Sequence, residues 1–372
     1  MNEPIYGVVY EHQQTKKLLQ YVPKKSIVFL WHCDLDGVAV NGLLEAEVKA
    51  IINMYPTYSG TFQHRHVETL LEAGVAVFDV KDMYRKRVKL YHGQEMMIDR
   101  NELYLIEGLK SYKVATLEAY DETLLRKKDV DARQHYSSCY EQFVLNTIDF
   151  AKRERHWFQS KPELPKSLDQ LRGEQVFIVA RNTDYEKDIE ALRPILKKKE
   201  IIVIAVDGAA DGLLKHQIKP NFITGDMDSI SKNALFCGAT IICHQHPSGR
   251  SPGKERVDEL GLDAESIRFV GTSEDVAIMA SYWSEASRIF LIGCRIGMEE
   301  FLEKGRHGMG ATWLARVQAG EKITDLKGIH HVASNSLLNV GLSEKAERSK
   351  ILDYVRSFFQ ERFYAWKKKE VL

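Results

Sequence analysis

The second half of the chain alternates short apolar runs with segments in which apolar residues recur at helical spacing. The apolar runs predict buried strands and the amphipathic segments predict helices, an order that is typical of parallel sheets. We therefore expect a doubly wound sheet of about six strands. The predicted strands are 176–180, 201–206, 222–224, 240–243, 267–270 and 288–292.

The first half shows the same alternation on a smaller scale, and it predicts a βαβαβ unit with a small parallel sheet. The predicted elements are strands at 27–31, 48–53 and 75–80, helices at 37–47 and 65–73, an edge hairpin within 1–25 and short strands within 83–118.

The remaining segments divide the chain. Residues 119–158 are polar with a helical period, and 160–167, with two prolines, predict a linker. Residues 343–372 predict an amphipathic helix with a basic end. The predicted fold class is thus α/β, with a small N-terminal βαβ domain, a helical linker, a doubly wound and mostly parallel sheet, and a C-terminal amphipathic helix. The predicted boundaries are 1–118, 119–170, 171–328 and 329–372.

Composition narrows the class of partner. Lysine plus arginine and aspartate plus glutamate each number 52, so the charge balance favours neither nucleic acid nor an anionic membrane. The five cysteines form no Cys-x-x-Cys pair, which argues against a disulfide framework or structural zinc and for a reducing compartment. No apolar run approaches the roughly 18 to 20 residues of a membrane span, and no leader opens the chain. We expect a cytoplasmic protein that does not span a membrane.

Carboxylates follow two of the predicted strands. Asp207 ends the strand 201–206, and Asp226 and Asp228 lie two residues apart after the strand 222–224. Because the carboxyl ends of neighbouring parallel strands meet at one edge of a sheet, we expect these three side chains to converge there. Oxygen ligands of this kind suit Mg²⁺, so the edge is interpreted as a magnesium and phosphate site. For Asp207, the alternative is a helix cap.

Three further aspartates allow two interpretations each. Asp275 follows another predicted strand, and it either joins the carboxylate site or begins the next helix. Asp34 and Asp36 follow the first predicted strand, where helix capping is favoured over a metal site. The hydroxyl-rich loop 56–61 either receives an anion at a helix terminus or is an ordinary tight loop, and the tight loop is favoured.

A phosphate site also needs positive charge, and the strand-end loops supply it. Arg181 follows the first strand of the large sheet, and Arg250 lies in the glycine- and proline-containing loop 246–254. Arginine can clasp phosphate oxygens with two N–H groups, although Arg250 in such a loop is exposed on either interpretation. A third and weaker candidate is the basic, glycine-containing segment 304–310.

Two segments of the second half resemble thiamin pyrophosphokinases. The sequences VDGAADGLL and IKPNFITGDMDSI are similar to that family's Asp-Gly-Gly/Ala-Ala, Lys-Pro-Asp and Gly-Asp-x-Asp-Ser segments. Over roughly residues 5 to 330 the chain looks closer to a sister group, the SteA-like family of cytokinetic ring proteins. That likeness includes DLDGVAVNGLLEAEVKAIIN, ARNTDYEKDIEALRP, HPSGRSPG, GTSEDVA and FLEKGRHGMGATWLARV.

The resemblance implies a catalytic sheet of the thiamin pyrophosphokinase type that binds ATP with Mg²⁺. By this resemblance, Asp207, Asp226 and Asp228 match the residues that hold magnesium and the nucleotide phosphates. Asp275 stands where that family has a later Thr-Asp pair. The expected nucleotide contacts are Arg181, Gly208, Gly225, Ser229, Arg250, Thr272 and Ser273.

The acceptor half of a thiamin pyrophosphokinase site is not evident. That family follows its sheet with a β-sandwich that helps to hold thiamin across a dimer, whereas the residues after Val317 predict mainly helix. Two functions are therefore expected as alternatives. One is transfer of pyrophosphate from ATP to an unidentified hydroxyl acceptor, and the other is silent nucleotide binding by an interaction protein of the cell-division machinery. We expect a homo-oligomer, with the C-terminal helix docked on protein or, alternatively, in peripheral contact with a membrane.

Overall fold

The computed structural model describes residues 3–84, 91–227 and 229–333. The chain divides into two compact units, Met1–Lys327 and Gly328–Leu372. The described strands all lie in the first unit, where they form a closed barrel and an open parallel sheet. The described part of the second unit contains one helix, Ile329–Ala333. Asp228 and the predicted C-terminal helix lie outside the described residues.

The barrel is built from the first seven strands, in the order β1-β2-β3-β4-β7-β6-β5, and β5 closes it by pairing with β1. The first four strands run parallel, and the remaining pairs are antiparallel. Strands β1 to β7 are Ile5–Glu11, Ile27–Leu30, Ala50–Asn53, Ala76–Met83, Glu95–Asp99, Glu102–Glu107 and Lys110–Ala119. Helices α1 to α3 are Thr15–Leu18, Gly37–Glu45 and His66–Glu72.

The predicted βαβαβ unit is present as β2-α2-β3-α3-β4, but the predicted edge hairpin is wrong. Strand β1 pairs with β2 in parallel and with β5 in antiparallel, and the short helix α1 follows it. A local pattern of alternating residues does not identify the partner of a strand. Here the partner is supplied by residues 95–98, far along the chain.

Alternate residues of the barrel strands pack on opposite sides of the wall. Ile27 and Phe29 belong to the apolar cluster that fills the barrel, together with Met96. Val28, on the other face of β2, packs with residues of α2 and α3 such as Leu43. The barrel is therefore a filled core with helices on the outside.

A helix of 33 residues, α4 at Glu122–Glu154, connects the barrel to the second sheet. Asp121 caps its N-terminus, and its side chain accepts a hydrogen bond from the N–H of Leu124 at 2.7 Å. At 1.5 Å per residue the helix is about 50 Å long. Two 3₁₀ helices, Arg155–Phe158 and Lys166–Leu171, complete the connection.

The second sheet has seven strands, all parallel, in the order β12-β11-β10-β9-β8-β13-β14. This confirms the predicted α/β class, and β14 is the strand that the sequence pattern did not predict. Strands β8 to β14 are Gln175–Val179, Ile201–Val206, Phe222–Gly225, Thr240–Gln245, Glu265–Arg268, Arg288–Ile292 and Ile323–Asp325. Helices α5 to α11 are Tyr185–Leu196, Ala209–Lys215, Lys232–Leu235, Pro252–Glu259, Ser273–Trp283, Met298–Leu302 and Gly310–Ala319.

The strand order reverses between β8 and β13. Strands β9 to β12 extend from one side of β8, and β13 and β14 extend from the other. In such sheets the connections cover both faces, and ligands bind outside the carboxyl ends of the strands. Within the described part of the chain, none of the helices combines the length and the apolar character that a membrane span requires.

Candidate functional site

The candidate site begins at the carboxyl ends of β9 and β10, which are neighbouring parallel strands. Asp207 follows β9 in a left-handed backbone conformation with φ 48°. Its carboxylate Oδ1 accepts a hydrogen bond from the N–H of Met227 at 2.9 Å, and its own N–H donates to the carbonyl of Thr224 at 2.9 Å. The carboxylate of Asp207 therefore fixes the loop that follows β10.

Gly225, at the end of β10, is required by this contact. Its φ is 145°, and a Cβ atom at this position would lie 2.0 Å from Oδ1 of Asp207. No larger residue fits without moving the carboxylate. The next turn also has a left-handed residue, Met227 at φ 57°, whose side chain is fully buried while Asp226 is exposed.

The two loops are joined a second time. The N–H of Gly208 donates to Oγ of Ser229 at 3.2 Å, and a Cβ on Gly208 would lie 2.8 Å from the carbonyl oxygen of Ser229. Arg256, from α8, donates to the carbonyls of Met227 and Ile230 and so holds the loop from the other side. No local sequence pattern indicates this role of Arg256, because its two contacts bridge 26 and 29 residues.

These loops face a cleft of about 1390 Å³ that is lined by both the barrel and the parallel sheet. Seven of the predicted site residues line this cleft, namely Arg181, Asp207, Gly208, Asp226, Ser229, Thr272 and Ser273. Gly225, Arg250 and Asp275 are not among its lining residues. Basic side chains also line it, namely Lys16, Lys24, Lys215, Lys232, Arg256, Arg295, Lys304 and Arg306.

Asp275 serves as a helix cap. The hydroxyl of Thr272 accepts a hydrogen bond from the N–H of Asp275 at 3.2 Å, and Oδ2 of Asp275 accepts one from the N–H of Thr272 at 2.8 Å. Oδ2 also accepts a hydrogen bond from the hydroxyl of Thr312 at 2.8 Å. The residue is fully buried, and burial raises the pKa of its carboxyl group above the ordinary value. Of the two interpretations of Asp275, the structure shows the helix cap.

Glu274, the neighbour of Asp275, faces the cleft instead. Its carboxylate pairs with the guanidinium of Arg295 and accepts a hydrogen bond from that residue's N–H at 2.7 Å. Arg295 also donates to the carbonyl of Arg181 at 2.7 Å. Burial raises the pKa of Glu274, and the charge of Arg295 opposes this. Arg181 and Arg295 follow β8 and β13, so their contact lies at the point where the strand order reverses. The sequence pattern does not predict the roles of Glu274 and Arg295.

Arg250 does not line the cleft. Its side chain is exposed, and its carbonyl accepts a hydrogen bond from the N–H of His246 at 3.0 Å within the turn. The weaker candidate segment, 304–310, does reach the cleft. Its Lys304 donates to Oδ2 of Asp36 at 2.8 Å, so it links the second sheet to the barrel.

The barrel aspartates hold loops in place. Oδ1 of Asp36 accepts a hydrogen bond from the N–H of Ala39 and caps α2, as the favoured interpretation predicts. Asp34 accepts one from the N–H of Ser59 at 2.7 Å. Burial alone would raise the pKa of Asp36, but Lys304 and other partners hold it below the ordinary value.

Within the loop 56–61, the N–H and hydroxyl of Thr57 both donate to Asp79. Those donors are therefore used internally, as in a tight loop.

Two carboxylates of the candidate site are suited to a magnesium ion. Among the described residues, no group of three or more His, Cys, Asp or Glu side chains is arranged to hold a metal. Mg²⁺ is commonly held by one or two carboxylates together with substrate phosphates. Asp207 and Asp226, two carboxylates that line one cleft, fit that pattern.

Comparison with known protein families finds a similarity in the residues that form this edge of the sheet. A family model described as "Thiamin pyrophosphokinase, catalytic domain" matches residues 193–241, the segment from α5 to the start of β11. The match includes Asp207 and Asp226 but covers only a small part of the chain. No significant match was found among curated protein sequences.

Solved structures give a weaker likeness. Thiamine pyrophosphokinase from Bacillus subtilis is 20% identical, with a TM-score of 0.27 over 41% of this chain and 60% of that chain. Thiamin pyrophosphokinase from Geobacillus thermodenitrificans is 17% identical, with a TM-score of 0.26 over 41% of this chain and 58% of that chain. The chain thus spans about three fifths of those enzymes.

Proposed function

We propose that the cleft binds ATP with Mg²⁺ and that the protein transfers the pyrophosphoryl group of ATP to a hydroxyl acceptor. The observation that carries this proposal is the pair Asp207 and Asp226, which follow adjacent parallel strands and line one cleft. The match of residues 193–241 to the thiamin pyrophosphokinase catalytic domain supports it. In this proposal the nucleotide-binding domain is 171–328.

The chain's residues have distinct roles in this proposal. Asp207, Asp226 and Asp228 would hold Mg²⁺, which when bound neutralises part of the phosphate charge. Among the other lining residues, Arg181 would hold the phosphates through its positive charge, and Ser229, Thr272 and Ser273 would donate to them through their hydroxyl groups. Gly208 would act indirectly, because its N–H holds the hydroxyl oxygen of Ser229 in place. Gly225 would act indirectly, because it makes room for the carboxylate of Asp207. The exposed position of Arg250 does not support a role for it.

The reaction forms one bond and breaks one bond at the β-phosphorus. The acceptor oxygen bonds to this phosphorus, the bond from the phosphorus to the α,β-bridging oxygen breaks, and AMP leaves with the electron pair. The hydroxyl proton is released. Such reactions depend mainly on positioning and charge neutralisation. Arg181, in the cleft wall, is suited to that task, while Arg256 and Arg295 hold the surrounding loops in place.

A second candidate is a nucleotide-binding interaction protein without turnover, as the likeness to SteA-like cytokinetic ring proteins suggests. Asp275 favours this candidate. Its buried carboxylate caps α9 instead of lining the cleft, so one of the four proposed catalytic carboxylates has a structural use.

Nucleotide binding and turnover distinguish the two candidates. MgATP affinity is measured by titration calorimetry, and AMP formation is measured with thiamin, glycerol and ribose as acceptors. Asp226→Asn is expected to reduce AMP formation about 10²- to 10³-fold. The removal of a single charge-stabilising group has an effect of this size in other enzymes. It should also weaken MgATP binding about tenfold or more. Stability should hardly change, because Asp226 is exposed.

The matched control is Asp263→Asn, an exposed aspartate that does not line the cleft. If Asp226→Asn binds MgATP as the wild type does, the assignment of the site is wrong. If the wild type binds MgATP tightly and yields no AMP with any acceptor, the second candidate replaces the first.

A further inference from the structure

The barrel supplies part of the cleft through the carboxyl ends of two strands. Strands β1 and β2 are parallel, so both end at the same side of the barrel. Thr15 follows β1, and Trp31 and His32 follow β2. These three residues line the same cleft as Asp207 and Asp226. Two sets of strand ends, one from each sheet, therefore enclose a single space.

His32 is held firmly at this position. Its N–H donates to Oδ1 of Asn53 at 3.0 Å, and its carbonyl accepts a hydrogen bond from Nδ2 of Asn53 at 2.7 Å. Asn53 is fully buried. The ring Nδ1 lies 3.0 Å from Oγ1 of Thr15, and Nε2 lies 3.6 Å from Oδ2 of Asp36. Both the backbone and the ring of His32 are thus fixed by groups of the barrel.

The electrostatic surroundings suit a proton acceptor. Burial lowers the pKa of His32, so the ring is neutral at neutral pH. The charged groups that face it are Asp34 and Asp36 from the barrel and Lys304 from the second sheet. An imidazolium formed here would be stabilised by the opposite charge of Asp36, whose Oδ2 lies 3.6 Å from Nε2.

The volume of the cleft allows two ligands. A pocket for one small molecule has about 300 to 1000 Å³. The cleft has about 1390 Å³, so a nucleotide at the parallel sheet leaves space on the barrel side.

We propose that the barrel side of the cleft is the acceptor subsite, and that Nε2 of His32 accepts the proton of the attacking hydroxyl. This inference rests on the proposed function and supplies its missing acceptor half. The acceptor O–H bond breaks, its proton moves to Nε2, and the oxygen bonds to the β-phosphorus while AMP leaves with the electron pair of the broken P–O bond. Nδ1–H donates to Thr15 throughout. Thr15 and Asp36 are positioning residues, and the acceptor is an alcohol.

A complex with Mg²⁺ and α,β-methylene-ATP tests the location of the subsite without turnover. Its crystal structure should show the phosphates near Asp207 and Asp226, with the space beside Trp31 and His32 free of nucleotide. If the adenosine moiety occupies the space beside Trp31 and His32, the acceptor subsite is not there, although the nucleotide site stands. If the analogue does not bind in the cleft at all, the proposed function fails as well.

Substitution of His32 tests the proton transfer. His32→Ala and His32→Gln should bind MgATP within about twofold of wild type, and AMP formation with the three alcohols should fall about 10²- to 10⁴-fold. The acid limb of the pH–rate profile, which reports ionisation of His32, should disappear. Added imidazole should restore part of the rate of His32→Ala, which a purely structural role would not allow. The control is His156→Ala, because His156 is exposed and does not line the cleft.

The outcomes separate the two proposals. Full AMP formation by a folded His32→Gln overturns the role of His32 and leaves the proposed function standing. Loss of MgATP binding in both His32 variants, with unchanged thermal unfolding, overturns the acceptor assignment, because His32 then belongs to the nucleotide half. A wild type that forms no AMP overturns both.

Discussion

The barrel and the parallel sheet both carry an Asp-x-Asp sequence after a parallel strand, and they use it differently. In Asp34-Leu35-Asp36 the middle residue is fully buried, as is Met227 in the segment that begins at Asp226. Asp36 is only 6% exposed and caps α2, which begins at the next residue. Asp226 is exposed in the cleft.

The position of the next helix explains the difference. Asp36 directly precedes Gly37, the first residue of α2, so its carboxylate is within reach of the free N–H groups of that helix. In the parallel sheet, the next helix starts at Lys232 and is capped by Ser231. Asp226 is too far from that helix to cap it. The same motif therefore provides a helix cap where a helix follows at once, whereas the loop that intervenes after Asp226 excludes that role and, in our proposal, leaves Asp226 to bind a ligand.

Of the substitutions that test this comparison, Gly225→Ala is expected to have the largest effect on stability and on MgATP binding. The close approach of Gly225 to the carboxylate of Asp207 leaves no room for a side chain. The new Cβ would lie 2.0 Å from Oδ1 of Asp207, at a φ of 145°. Strain and overpacking should lower the free energy of unfolding by about 3 kcal/mol. Displacement of the Asp207 carboxylate should also weaken MgATP binding about tenfold. Urea unfolding and titration calorimetry measure the two effects.

Gly261→Ala is the matched control for backbone strain. Gly261 also has a positive φ, 70°, but a Cβ there would meet no atom within 4 Å. Gly261→Ala should lower the free energy of unfolding by about 1 to 2 kcal/mol and leave MgATP binding unchanged. Equal effects of the two substitutions would show that the contact with Asp207 is unimportant.

A smaller effect is expected from Thr312→Val, which tests whether Asp275 is structural. The substitution removes the hydroxyl that donates to Oδ2 of Asp275 at 2.8 Å. The free energy of unfolding at neutral pH should fall by about 1 to 3 kcal/mol, because a buried carboxylate loses a donor. MgATP affinity should not change, because Asp275 does not line the cleft. A large loss of MgATP affinity would return Asp275 to the binding site.

The pH dependence of Thr312→Val has a definite sign. Burial raises the pKa of Asp275 above 3.8, so the folded state holds this proton at higher pH than the unfolded state does. Stability from this group therefore falls as pH rises from 3.8 through the folded pKa. Loss of the Thr312 donor raises that pKa further, so the destabilisation should be largest at neutral pH and smaller at pH 4.5. Thr312→Ser, which keeps the hydroxyl, should show little of this dependence.

Continuous apolar runs made the parallel sheet predictable from sequence. Strands β9 and β13 have the predicted bounds, because they are buried on both faces and end at charged or glycine-containing turns. The closure of the barrel was not predictable in this way, since β1 finds its second partner about 90 residues away, in β5.

The site was predictable to the extent that its residues follow strands directly. Asp207, Asp226 and Arg181 were found in this way, and all three line the cleft. Arg256 and Glu274 were not, because their roles depend on contacts between elements that are distant in sequence. Arg250 was singled out by its loop composition, which indicates exposure but not the direction in which the loop faces.

The smallest effect on stability is expected from loss of the ion pair between Asp36 of the barrel and Lys304 of the second sheet. Asp36→Asn keeps an oxygen that can cap α2 but removes the charge, and Lys304→Met removes the cation while keeping an apolar stem. The side chain of Lys304 is 32% exposed, so we expect a coupling free energy of only about 1 kcal/mol in a double-mutant cycle.

The pH dependence of this pair should be opposite to that of Asp275. Although burial raises it, the net pKa of Asp36 is below 3.8, so its stabilisation is fully present above pH 3.8 and is lost as pH falls through the folded pKa. The coupling measured by urea unfolding should therefore be constant from pH 7 to about 5 and should decline only in stronger acid. A coupling of zero at pH 7 would mean that the barrel is held against the sheet by other contacts, such as the hydrogen bond between His66 and Glu303 at 2.9 Å.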